Sequence, residues 1–226
     1  MARKGNSRHI NTLSAPLYFG VHKKESKYIM KPNPGRFNLE SSIPLALVIK
    51  KLGIAKIMRN VRKIVKSGVV TVNNKKVLDL KYPIGFGDII AIENNVYKID
   101  VEKHGRVDIK KIEKPDYDNM IYKVVHKYKA KKGEIMVRLH DGSITKADKN
   151  IKVNDSVIID QSRKIKQILP LKENAKCYVT SGIHVSTEGI IKEIKEGSAK
   201  SRASVVIETP NNEKFETLVK NIIVMG

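Results

Sequence analysis

Residues 59–77 read RNVRKIVKSGVVTVNNKKV, with Arg59, Arg62, Lys63 and Lys66 at offsets 0, 3, 4 and 7. At about 3.6 residues per turn these four positions share one face of a helix. Met58, Val61, Ile64 and Val65 fall on the opposite side, so the spacing predicts an amphipathic helix at roughly 56–67. Gly68 supplies the left-handed residue that ends it. The valine-rich VVTV at 69–72, the Asn73-Asn74 pair and the KKVLDL run then predict a hairpin, because asparagine tolerates the positive φ of a tight turn. Like charges on a helix stripe cost about 0.2–0.5 kcal/mol per neighbouring pair. Something outside the chain has to offset that cost.

Upstream, Ser41-Ser42 followed by Pro44 predicts a helix start. Leu45, Val48, Ile49 and Leu52 give it an apolar face, and Gly53 a stop. No acid interrupts Lys50 to Lys66, a span with seven cations. Downstream, Tyr82-Pro83 breaks the run, Gly85-Phe86-Gly87-Asp88 turns it, and IIAI at 89–92 is a strand. Two helices feeding a small sheet at about 41–92 is the expected unit.

The remainder reads as β. VYKIDV, NMIYKVVHKYKA, GEIMVRLHD and SVIID are strand candidates in 93–170, with turns at Gly105, Lys132-Gly133, Asp141-Gly142 and Asn154-Asp155. In 171–226, AKCYVTSG, GIIKEI, SVVIETP, the turn Asn211-Asn212 and KFETLV predict a small five-stranded barrel. Residues 1–36 lack periodicity and hold a Pro32-Asn33-Pro34-Gly35 breaker. They read as a basic arm with little core, either a tail or a segment that orders on nucleic acid with lysines on phosphates and aromatics against bases. The expected division is a basic arm at 1–40, a two-helix module with a small sheet at 41–92, a central β domain at 93–170 and a barrel at 171–226. The fold class is α+β, mostly β.

Charge narrows the function. The chain has 226 residues, 44 Lys and Arg against 23 Asp and Glu, and a net charge of +21. Residues 1–36 carry +7, residues 37–92 another +7, residues 93–170 +6 and residues 171–226 only +1. A polyanion gripped by the N-terminal part fits this distribution. The single Cys177 excludes a disulfide framework and a cysteine zinc site, and is expected to fill core. No apolar run approaches membrane-spanning length and the N-terminus lacks an apolar signal core, so an intracellular, cytoplasmic chain is expected. Lipid binding is disfavoured because the apolar side of 56–67 is needed by the hairpin and the first helix.

Catalysis finds little footing. There is no phosphate loop, no H-E-x-x-H and no C-x-x-C, so no metal or cofactor is implied. Gly85-Phe86-Gly87 is a turn before a strand. His140-Asp141 would point to opposite faces of a strand and reads better as the start of the Asp141-Gly142 turn. His9, His22, His104, His126 and His184 are scattered and receive no role.

The segment PLALVIKKLGIAKIMRNVRKIVKSGVVTVNNKKV, followed by YPIGFGDIIAI, resembles the small RNA-binding module called the S-four domain. Its hallmarks stand at Leu52-Gly53, Arg59 to Lys66, Gly68-Val69-Val70-Thr71-Val72-Asn73 and Gly87-Asp88, with Asn74 where a Gly is common. Leu13-Ser14-Ala15-Pro16, IKVNDSVIID, GIHVSTEGIIKEI and LVKNIIVMG extend the likeness along the whole chain. Together they resemble the archaeal and eukaryotic small-subunit ribosomal protein family four-e. The ending at Val224-Met225-Gly226 is more like its archaeal members. The resemblance implies an SH3-like (KOW) barrel at the end, with Val179 through Ile191 as its signature and Gly182 and Gly189 as its glycines.

It also implies a structural, non-enzymatic constituent of the small ribosomal subunit, partnered by small-subunit rRNA and neighbouring ribosomal proteins. The candidate RNA contacts are Arg3, Lys4, Arg8, Lys23 and Lys24 in the arm, then Lys50, Lys51 and Lys56. The stripe Arg59, Arg62, Lys63 and Lys66 and the hairpin's Lys75 and Lys76 complete the set. No catalytic residue, membrane or small-molecule substrate is expected. An RNA-modifying enzyme or a free regulator that borrows the S-four module is the competing expectation.

Overall fold

The computed structural model describes residues 7–113, 119–130, 133–161, 163–197 and 201–225. Arg3 and Lys4 of the candidate set, and Lys132 of one expected turn, lie outside the described residues. The chain divides into two compact units. The first comprises Met1–Asp100 with Arg106–Pro115, the second Val101–Gly105 with Asp116–Gly226.

In the first unit, helix α1 spans Leu45–Lys51 and helix α2 spans Met58–Ser67. Leu45, Ala46, Val48 and Ile49 of α1 and Val61 and Val65 of α2 are fully buried. Pro44 sits one residue before α1, where its missing N–H is harmless, and Leu52 caps α1 ahead of Gly53. Gly68 caps α2 at φ +79°, donating its N–H to Val65 O at 3.2 Å. A Cβ there would stand 2.0 Å from Lys76 Cε, so glycine serves both the turn and the passage of that side chain.

A five-stranded sheet follows in the order Lys75–Lys76, Val70–Val72, Ile89–Ile92, Asn95–Val101, Val107–Ile112. Asn73 and Asn74 take the positive φ of the hairpin, at 47° and 60°. Two short ribbons complete the unit, His9–Asn11 with Tyr28–Met30 and Ser42–Pro44 with Pro83–Gly85. The expectation of an arm with little core is corrected here. Phe19 is fully buried and Thr12, Tyr18 and Ile29 nearly so, with Leu17–Phe19 packed against the Ser42–Pro44 strand. Tyr18 and Phe19 therefore do not face bases. Burial pushes the Tyr18 hydroxyl far above its ordinary range.

The second unit carries two antiparallel five-stranded sheets. One runs Ile144–Lys146, Ile135–Leu139, Met120–Lys129, Ser156–Ile159, Ile165–Leu169. It closes on Val124, Val137, Leu139, Ile151, Val157 and Ile159. The other runs Lys214–Leu218, Ser204–Glu208, Glu188–Lys195, Lys176–Val179, Ile222–Val224. In chain order its first strand, Lys176–Val179, lies between the second, Glu188–Lys195, and the last, Ile222–Val224. Cys177 is buried in its core and its thiol is pushed up to about 11 by desolvation. Lys123 joins the two sheets. It is buried, and its ammonium donates to Val219 O and, at 2.9 Å, to Ile222 O. Ser156 Oγ accepts from Val224 N at 2.9 Å. Asp141-Gly142 forms the expected turn, with Asp141 Oδ1 accepting from Ser143 N at 2.9 Å.

Candidate nucleic-acid interface

Helix α2 presents Arg59, Arg62, Lys63 and Lys66, all exposed, opposite its buried Val61 and Val65. Among the described residues none of the four makes an ion pair. The helix has no acid in its first turn and no side-chain N-cap. Arg59 near that end opposes the helix dipole, a further cost of about 0.3–1 kcal/mol at a surface site. Mutual repulsion and the dipole thus both favour an incoming anion.

Neighbouring cations extend the surface within the unit. The Lys76 stem passes over Gly68, which sets this hairpin cation beside the C-terminal end of α2. Lys50, Lys51, Lys56 and Lys75 are exposed, as are Arg8, Lys23 and Lys24 in the N-terminal segment. Lys51 Nζ comes within 2.7 Å of where a Cβ on Gly20 would stand, so the segment lies close to the end of α1. Tyr28 remains an exposed aromatic, packed edge-on against His9 at 4.6 Å with Lys27 Nζ 5.5 Å over its ring.

The same unit holds a buried hub that sequence periodicity did not reveal. Asp88, 2% exposed, accepts from Arg36 at 2.9 and 3.3 Å, from Asn73 Nδ2 at 2.7 Å and from Gly85 N at 3.0 Å. Asn73 Oδ1 in turn accepts from Ile89 N at 2.8 Å. The Asn and the Gly-Asp of the module are thereby one structure. They tie the hairpin turn, the strand that follows and the N-terminal segment together. The signal was the Gly87-Asp88 pair, but its partners lie at positions 36, 73 and 85 and cannot be paired by spacing.

The C-terminal sheet differs. Three of its cations are matched across strands, Lys192 to Glu208 at 2.8 Å, Lys195 to Glu216 at 3.0 Å and Lys214 to Glu208 at 3.8 Å. A hydrogen bond from Lys192 holds the Glu208 carboxyl below its ordinary range, and bonds from Ser204 and Lys195 do the same for Glu216. The loop at 180–187 shows Ile183, 93% exposed, and His184 stacked on Phe215 at 4.0 Å. Among the described residues no cluster of three or more His, Cys, Asp or Glu could hold a metal, and no helix is long and apolar enough to cross a membrane.

Three family models match the chain, the RS4NT domain at residues 4–36, the S4 domain at 43–90 and ribosomal family S4e at 93–165. The small ribosomal subunit protein eS4 of Methanothermobacter thermautotrophicus is 30% identical over 230 residues, covering 100% of this chain and 95% of that one. The eS4 protein of Nanoarchaeum equitans is 31% identical over 221 residues, covering 96% and 94%. The crystal structure of the 30S ribosomal protein S4e from Thermoplasma acidophilum superposes with a TM-score of 0.69 at 28% identity. It covers 82% of this chain and 95% of the other. The family is one of ribosomal structural proteins, which leaves the enzymatic alternative without support. With a charged, acid-free α2 face standing on an S4 domain and relatives matched end to end, the chain belongs to the ribosomal S4e (eS4) family of small-subunit proteins.

Proposed function

We propose that the chain is a structural constituent of the small ribosomal subunit that fixes a local fold of its rRNA. The α2 stripe lies along the sugar-phosphate backbone and reads shape more than sequence. One observation carries this reading: Arg59, Arg62, Lys63 and Lys66 are all exposed and have no acid partner among the described residues. Arg3, Lys4, Arg8, Lys23, Lys24, Lys50, Lys51, Lys56, Lys75 and Lys76 widen the phosphate-binding field.

The division of labour follows the charge. The arm at 1–40 and the module at 41–92, with the strands Asn95–Val101 and Val107–Ile112 that complete its sheet, hold RNA, and residues 93–170 as a whole add +6. The barrel at 171–226, at +1 and with Ile183 outward, meets a neighbouring ribosomal protein. The work takes place on cytoplasmic ribosomes. Sedimentation of a lysate of the source cells tests the proposal. The chain should travel with the small subunit at one copy per particle, including after a wash that strips loosely bound factors. Recovery mainly in the free-protein fractions contradicts it.

A further inference from the structure

We infer that a cleft in the first unit receives a nucleotide extruded from the bound RNA, its phosphate held by Arg8, Lys31 and Lys81. The inference rests on the RNA-binding reading above and adds a site to it. The cleft encloses about 480 Å³, within the span of ligand-sized pockets. Its lining contains these three cations and no carboxylate.

The nearby acid does not line the cleft and is tied to its rim. Asp79 Oδ2 accepts from Asn33 Nδ2 at 2.7 Å, and its Oδ1 accepts from Lys81 N at 3.0 Å. The rim is fixed further by Asn33 N donating to Lys81 O at 2.8 Å and by Lys81 Nζ donating to Arg8 O at 3.1 Å. The Pro32-Asn33-Pro34-Gly35 breaker is thus a built wall of a cationic cleft.

The ligand class follows from the lining. Lys31 is half-buried, and neither it nor Arg8 has an ion pair among the described residues. A partly desolvated ammonium without a counter-ion favours an entering phosphate. Leu39 and Pro34 give an apolar wall for a base. The Asn38 carboxamide, without a hydrogen-bond partner among the described residues, offers a donor and an acceptor to a base edge. A paired nucleotide inside a duplex cannot reach such a site. An unstacked one can, and unstacked bases are the ones proteins read in RNA.

The test uses the full chain and fluorescence anisotropy on hairpins of one stem, carrying no bulge or a single bulged A, C, G or U. The wild type should bind at least one bulged hairpin about tenfold more tightly than the paired one, the scale of one stacked and contacted base. Lys31→Ala combined with Asn38→Ala should reduce that preference to less than about twofold, and Lys31→Arg should keep it. Melting temperatures of these variants should match the wild type, since neither side chain joins the rim bonds. A wild type indifferent to the bulge, or a double variant that keeps the preference, overturns the cleft. Replacing Arg59, Arg62, Lys63 and Lys66 by Ala should weaken all hairpins alike. If that variant binds as the wild type does, the stripe reading fails while the bulge result stands on its own.

Discussion

The S4 module and the C-terminal sheet both carry many lysines and use them in opposite ways. On α2 four cations face outward with no carboxylate in reach among the described residues. On the C-terminal sheet Lys192, Lys195 and Lys214 each meet a glutamate on another strand. Lysine content alone therefore says little about RNA. What marks the module is charge left uncompensated on a rigid, well-packed support. The same contrast holds below the surface. The first unit pairs the half-buried Arg36 with the buried Asp88 to organise its turn, whereas the second buries Lys123 against backbone carbonyls with no acid partner among the described residues.

The largest expected effect breaks the support rather than the surface. Asp88→Asn removes the charge facing the half-buried Arg36 and should cost about 3 kcal/mol, read as a lowered denaturation midpoint. Removing Glu216 from its exposed pair with Lys195 should leave the midpoint unchanged. Equal losses at the two sites erase the distinction.

A pH series probes Lys123. Desolvation lowers its pKa from the ordinary 10.5 to about 8 in the folded chain. Between those values the unfolded state binds more protons, so this group's contribution to stability rises with pH from about 8 to 10.5 and is level below 8. The gain is bounded at about 3 kcal/mol relative to Lys123→Met, which lacks the slope. A neutral amine still has two N–H donors for the Val219 and Ile222 carbonyls, so the link between sheets survives its deprotonation. Parallel stability curves for wild type and variant contradict the assignment.

Gly189 sharpens the comparison at smaller scale. A Cβ there would stand 2.5 Å from Ile207 Cγ2 and 2.7 Å from Glu208 O, so Gly189→Ala should cost about 2 kcal/mol through overpacking in the C-terminal sheet. RNA affinity at the α2 stripe should not change. A variant as stable as the wild type in chemical denaturation removes the packing explanation.

Local patterns were the legible part of the sequence. The 3.6-residue period exposed α2 and its stripe, and Asn73-Asn74 and Gly68 marked a real turn and a real cap. Features assembled from distant residues were not legible. The Asp88 hub draws on Arg36, Asn73 and Gly85, and the arm's core depends on Phe19 packing near the Ser42–Pro44 strand. Ser42–Pro44 and Pro83–Gly85 were hidden because proline argues against a strand, and they pair with each other as a two-stranded ribbon. Val107–Ile112, Ile144–Lys146 and Ile165–Leu169 are short and too polar to stand out. Lys123 sits among strand residues that predict nothing about burial, and only the approach of Val219 and Ile222 gives it partners.

The most direct test is the salt dependence of binding of the full chain to small-subunit rRNA. Arg59, Arg62, Lys63 and Lys66 are replaced by Ala in one variant, and the acid-paired Lys192, Lys195 and Lys214 in another. Each phosphate contact contributes about 0.7–0.9 to the slope of log K against log salt, so the α2 variant should lose about 3 units and the C-terminal variant close to none. Equal losses, or a larger loss from the C-terminal variant, contradict the assignment of the RNA grip to α2.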